Sequence, residues 1–248
     1  MEVHAHTHTP KTKWTHYFWE FFMLFLAVTL GFLTENIREG YQERHRVNEF
    51  MCKISHDLRA DIAAITRLKQ QRIKRNIQCD SLIVLLTNDP ANNDRSKIYY
   101  YGRYATRRIH FRPQNATLQQ LKNTGDLRLV ENSEVLDSIN HYEQMLKYND
   151  ENVQVEEKEL SDISYLAARI FNANVFQNMM ADNNGGLPAG NPPLMSYDKL
   201  LLNELSTKLH YWKRTSLSVL ESFDDIISDA ENLLKLITEN YHCKESHK

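Results

Sequence analysis

Apolar positions along the chain fall into four blocks separated by polar, helix-breaking stretches. The first opens with FWEFFMLFLAVTLGFLT at Phe18 to Thr34, of which Phe21 to Leu33 carries no charge. That charge-free run is shorter than the ~20 residues a bilayer span requires. Trp14, Tyr17, Phe18 and Trp19 read as an interfacial aromatic belt, and with them the segment covers 14–35. At about 1.5 Å per residue this length crosses a ~30 Å hydrocarbon core, so a transmembrane helix is expected there. Beyond it Phe50, Ile54, Leu58, Ile62, Ile65 and Leu68 recur at spacings of three and four. The helix is therefore expected to run on to about Thr87 and to stop at Asn88-Asp89-Pro90.

A shorter block covers Ser96 to Phe111 and ends at Arg112-Pro113. Asn115 is placed to cap a small helix over Ala116–Asn123, and Gly125 sits where a left-handed C-terminal residue belongs. Ser133 is the expected cap of a third block that carries Val135, Ile139, Tyr142, Leu146, Val153, Leu160, Ile163, Leu166 and Ile170 and fades near Met180. No helix crosses the loop DNNGGLPAGNPP at 182–193. The last block runs from Ser196 to about Tyr241. Its apolar positions Leu205, Leu209, Trp212, Val219, Phe223, Ile226, Ala230, Leu233 and Ile237 follow a 4-3 repeat, with Ser216 the one polar interruption.

The fold these blocks predict is all-α: one N-terminal transmembrane helix continuing into an antiparallel bundle of three long helices and one or two short ones. Its parts are a polar His-containing tail (1–13), the span (14–35), an extramembrane bundle (36–242) and a C-terminal tail (243–248). The seven glycines support this reading, because none occurs from 41 to 101, from 126 to 184 or after 190, and strand-type alternation is absent. A glycine loop for a nucleotide has no place to exist. Neither a nucleotide nor any other cofactor is expected.

Charge narrows the partners. The formal net charge is −2, which gives no long-range basic field and argues against nucleic acid. A local basic patch, Arg67, Lys69, Arg72, Lys74 and Arg75, reads as a solvated helix face, with a lipid-headgroup or phosphate site as the alternative. Cys52, Cys79 and Cys243 are scattered and odd in number, which argues against a disulfide framework; they read as packing residues. The flanks of the span carry Lys11 and Lys13 on one side and Arg38, Arg44, Arg46 and Lys53 on the other, a slight lean toward a cytoplasmic bundle.

Candidate chemistry is sparse. Glu20 lies inside the span, where a carboxylate costs at least ~2.5 kcal/mol at the bilayer centre; one turn inside the belt it reads as snorkelling or interhelical, with ion or proton handling the alternative. Ala27 and Gly31 form a small-xxx-small face for a second helix. His4, His6 and His8 alternate, so an extended tail would present three imidazoles on one face, a weak metal candidate. Ser55-His56-Asp57-Leu58-Arg59-Ala60-Asp61-Ile62 resembles the phosphoacceptor box of sensor histidine kinases. The usual Thr-Pro is replaced by Ala60-Asp61 and no ATP-binding domain follows, so kinase activity is not expected. Asp224, Asp225, Asp229 and Glu231 read as a solvated acidic run. An aromatic and basic cluster on the second block, Tyr100, Arg103, Tyr104, Arg107 and Arg108 with Tyr99 and Tyr101 beside it, is the candidate partner surface, since such side chains are enriched in binding hot spots.

Longer stretches carry a family likeness: Trp19-Glu20 entering the span, Gly31, the exit Glu35-Asn36-Ile37-Arg38-Glu39, and TLQQLKNTGDLRLV from Thr117 to Val130. The chain resembles an uncharacterised family of small single-pass membrane proteins of Bacteroidota, over about residues 10 to 240. The resemblance implies the inner membrane, a cytoplasmic tail and a periplasmic bundle, and it implies no activity. The expected function is that of a membrane-anchored, sensor-like or accessory protein without catalysis, partnered by the bilayer and by a second copy or another membrane protein. A metal-dependent or otherwise unrecognised membrane-bound enzyme is the alternative.

Overall fold

The computed structural model of the chain describes residues 14–105, 107–183 and 185–243. The tail with His4, His6 and His8 and residues 244–248 lie outside the described residues. Among the described residues six α-helices follow one another: α1 (Trp14–Thr87), α2 (Arg95–Ala105), α3 (Ala116–Asn123), α4 (Ser133–Ile170), α5 (Ala173–Asn183) and α6 (Lys199–Asn240), with a 3-10 turn at Asp126–Leu129.

Local chemistry sets most ends, with several corrections. α1 stops where Asp89 takes a positive φ of 49° ahead of Pro90. α4 is capped by Asn132 rather than by Ser133: its side chain accepts from Glu134 N at 2.9 Å and Val135 N at 3.3 Å. The last helix opens after Asp198, not at Ser196, for the same reason. Asn115 makes no capping bond to α3. Gly125 is left-handed as expected, with φ 76°, a position where a Cβ costs about 1 kcal/mol. The second block stops at Ala105 rather than Phe111, and the third breaks at Phe171 before a third short helix, α5. Packing explains the break at Phe171. Extended backbone there drops the Phe171 ring onto Gly102, where an added Cβ would collide with the ring.

α6 runs antiparallel to both α1 and α4. Lys213 meets Asp80 and Asn48 meets His242 along α1, while Asn240 meets Asn132 and Lys208 meets Asp162 along α4. From the far end of α1 the chain comes back along the same helix as α2, an extended connection over 107–115, and α3. The result is an up-down-up-down bundle whose second member is broken in the middle.

The apolar core is likewise divided in two. One cluster, nearer the N-terminal apolar segment, gathers Phe50, Ile54, Leu58 and Ile65 with Val135, Ile139, Val219, Phe223 and Ile237. The other gathers Leu82 and Leu86 with Tyr99, Ile163, Ile170, Leu205, Leu209 and Trp212. Each fully buried aliphatic or aromatic side chain contributes roughly 1.5–3 kcal/mol.

α1 is the one described helix long and apolar enough to cross a membrane, and its most apolar window, with a mean hydropathy of 1.6, has no residue buried in the bundle. The first buried side chain of α1 is Val47. Thr29 and Thr34 in the apolar part return their hydroxyls to the carbonyls of Phe25 and Leu30 at 2.8 Å, so neither hydroxyl is left with an unmet donor.

Two of the cysteines pair. Cys52 and Cys243 form a disulfide across 191 residues, with Cα atoms 5.2 Å apart. The packing role read for them is thus corrected, and Cys243 belongs to the bundle rather than to a free tail. Antiparallel packing of α1 and α6 makes the pair, and sequence separation carries no trace of it. Cys79 is free and buried in the second cluster, as a packing residue should be, and burial pushes its thiol up to about 12.

Candidate functional site

Between the two apolar clusters lies a layer of buried polar side chains. α1 supplies Arg72, Arg75 and Asn76, α4 supplies Glu156, and α6 supplies Ser216, all buried. The basic patch read as a solvated face is therefore corrected at Arg72 and Arg75, while Arg67 and Lys74 are exposed. Glu156 receives both guanidiniums: Arg72 Nη1 and Nη2 donate at 2.9 Å to its two oxygens, and Arg75 Nη2 donates at 2.6 Å. Ser216 donates to Asn76 Oδ1 at 3.0 Å. The arginines also lie over aromatic rings, Arg75 at 4.4 Å from the Trp212 ring and Arg72 at 5.4 Å from that of Phe223.

This layer explains the broken second member. An extended segment beside a bundle has carbonyls and amides that no helix satisfies. Arg72 Nη2 donates to Ile109 O at 2.6 Å and Arg75 Nη1 to Arg107 O at 2.7 Å. Further along, the Asp61 carboxylate accepts from Gln114 N at 2.9 Å and from the Tyr142 hydroxyl at 2.8 Å. Buried charge on α1 thus replaces the lost backbone partners of 107–114.

Two arginines share one carboxylate, so the layer holds an excess positive charge. Burial drives the Arg75 guanidinium down to about 10; Glu156 opposes the shift and Arg72 adds to it. Among the described groups, Nε of both arginines, Asn76 Nδ2 and Trp212 Nε1 have no hydrogen-bond partner.

A cleft of about 490 Å³ opens onto this layer. One wall is the face of α1 formed by Leu68, Gln71, Lys74, Arg75 and Gln78; the other is Tyr104, Arg107, Arg108, Ile109 and His110. Arg107 lies 5.9 Å from the Tyr104 ring. Arg108 Nη1 is 3.9 Å from Glu157 Oε1, and His110 Nε2 is 3.2 Å from the same oxygen without a hydrogen bond between them.

Of the predicted surface, Tyr104, Arg107 and Arg108 line this cleft and Tyr100 and Arg103 do not. Tyr100 packs its ring against Tyr104 at 4.8 Å and against Tyr101 at 5.5 Å. Tyr99 is a core residue, its hydroxyl donating to Pro193 O and accepting from Asn172 N. Sequence reasoning joined neither the α1 patch nor His110 to this cluster. Ser216 was its one visible trace, a serine in an otherwise apolar stripe.

Other candidates stay apart. Glu20, Ala27 and Gly31 are exposed on the N-terminal part of α1, and a Cβ at Gly31 would meet nothing. His56 is exposed, whereas its acidic neighbours are structural, Asp57 accepting from the Thr117 hydroxyl and Asp61 as above. In the acidic run Asp224 pairs with Lys69, and Asp229 lies 2.8 Å from His141. No group of three or more His, Cys, Asp or Glu among the described residues is placed to hold a metal ion. Comparison with known protein families, with curated proteins and with solved structures finds no match to this chain.

Proposed function

We propose that the chain is a single-pass membrane protein that acts by binding rather than by catalysis, as a sensor-like or accessory subunit. The observation that carries this reading is α1, one uninterrupted helix from Trp14 to Thr87. At about 1.5 Å per residue it is a rod of about 110 Å, joining the exposed apolar segment to both core clusters. A tilt or rotation at either end is carried to the other without a hinge. Ala27 and Gly31, exposed on the apolar part, offer a close-packing face to a second copy or another membrane helix.

We place the bundle in the periplasm and the anchor in the inner membrane. Support comes from the Cys52–Cys243 disulfide, since such bonds persist in oxidising compartments and are rare in the cytosol. The resemblance to the Bacteroidota family points the same way, against the slight lean of the flanking charges.

Isolation of the full chain from membranes tests the binding reading. Extraction only with detergent is expected, together with a second copy or a stoichiometric membrane protein in the purified sample. Release by an alkaline wash, or a lone monomer after gentle extraction, overturns it.

A further inference from the structure

We infer that the cleft between α1 and the Tyr104–His110 wall binds a small, soluble anion of the phosphate-ester class. This rests on the binding reading above and names the ligand.

Four cationic side chains line the cleft: Lys74 and Arg75 from α1, Arg107 and Arg108 from the opposite wall. Their anionic compensation is thin. Glu157, half-buried, reaches only Arg108 and His110. No carboxylate among the described residues forms an ion pair with Lys74 or Arg107. Beneath them Glu156 is shared by two guanidiniums, and Arg75, itself 3% exposed, keeps an unpartnered Nε. Folding that concentrates like charge in this way costs free energy, and a bound anion offsets it.

Geometry selects the kind of anion. A planar carboxylate is matched by one guanidinium fork, and the forks of Arg72 and Arg75 are already occupied by Glu156 and by backbone carbonyls. The remaining donors, the Lys74 ammonium and the exposed guanidiniums of Arg107 and Arg108, come from two walls. Donors drawn from two facing walls suit a tetrahedral group with several oxygens better than a planar one. The volume of about 490 Å³ admits a phosphate with an organic substituent, and the Tyr104 ring lines the same space. A headgroup of the anchoring bilayer does not qualify. Arg75 lies about eleven turns beyond Glu35, about 60 Å along the helix axis.

The test is titration of the full chain in detergent at low salt with pyrophosphate, inorganic phosphate and citrate, followed by calorimetry and by melting temperature. Pyrophosphate is expected to bind at millimolar concentration or below and to raise the melting temperature. The double variant Lys74→Gln/Arg107→Gln, which keeps both side chains long, is expected to lose at least about tenfold in affinity, as for two charge-assisted hydrogen bonds. Its melting temperature without anion should match or exceed that of the parent, because two of the crowded like charges are gone. Arg128→Glu, in the 3-10 turn at the other end of the bundle, should bind like the parent. No binding by the parent, citrate binding without pyrophosphate binding, or equal losses in both variants overturns the inference. A double variant that melts early overturns it too, because those cations would then be structural. Membrane extraction and self-association do not depend on the cleft, so failure here leaves the binding reading to stand or fall on its own experiment.

Discussion

Asp61 shows how one residue is tied to two other elements at once. It stands on α1 with 2% exposure and accepts from the Gln114 amide and the Tyr142 hydroxyl. Asp61→Ala would leave both donors unmet, at roughly 1–3 kcal/mol each. Burial raises the Asp61 carboxyl above its ordinary 3.8, against the lowering effect of those two hydrogen bonds, and Asp57 adds to the rise. The folded protein therefore holds this proton more tightly than the unfolded chain. As pH climbs from 3.8 to the raised folded value, Asp61 loses stability for the fold; above that value its contribution is constant. Denaturation midpoints of the parent and Asp61→Asn, compared across this window, should show the parent losing ground as pH rises. A pH-independent difference between the two would refute the assignment. His56, the centre of the phosphoacceptor-like stretch, has no such network and is simply exposed.

At the element scale, Pro113 and the residue before it bar helix only at the end of the break in the second member; from 107 onward the non-helical stretch is held by buried charge from α1. Glu156 is the hub. Its removal in Glu156→Ala leaves two buried guanidiniums without a counter-charge, a change that costs about 3–5 kcal/mol in comparable pairs. Amide hydrogen exchange in 107–114 should accelerate more than in the centre of α6, because the arginines that hold Arg107 O and Ile109 O lose their anchor. Uniform acceleration across the bundle would contradict that order of events. The elements themselves were largely legible in the sequence. Spacings of three and four located α1, α4 and α6, whose apolar stripes pack into the core, with Ile62, Leu68, Leu146 and Val153 only partly buried. The caps at Asn132 and Asp198 were misplaced by one or two residues, since several polar side chains compete for each helix start and local sequence does not rank them.

On the scale of the whole molecule, the Cys52–Cys243 disulfide ties the last residues of the bundle to α1 close to where its buried part begins at Val47. A cross-link spanning 191 residues removes chain entropy from the unfolded state, by roughly 5 kcal/mol in the loop-closure model. Thiol reagents applied to intact cells should leave Cys52 and Cys243 unmodified until a reductant is added. The Cys52→Ser/Cys243→Ser variant should melt several degrees lower. Immediate labelling of Cys52 and Cys243 without reductant would place the bundle in a reducing compartment.

The helical class, the apolar segment at the start of α1, the apolar stripe of each long helix and the left-handed turn at Gly125 are all legible along the chain. These depend on periodicity, length and backbone freedom, which neighbours in the chain decide. The Cys52–Cys243 pair, the burial of Arg72 and Arg75, and the meeting of Lys74 with Arg107 and Arg108 across a cleft emerge from packing alone. Each joins residues from separate elements. An arginine at the edge of a helical stripe reads as solvated until a carboxylate on another helix, here Glu156, is brought within 2.9 Å of it.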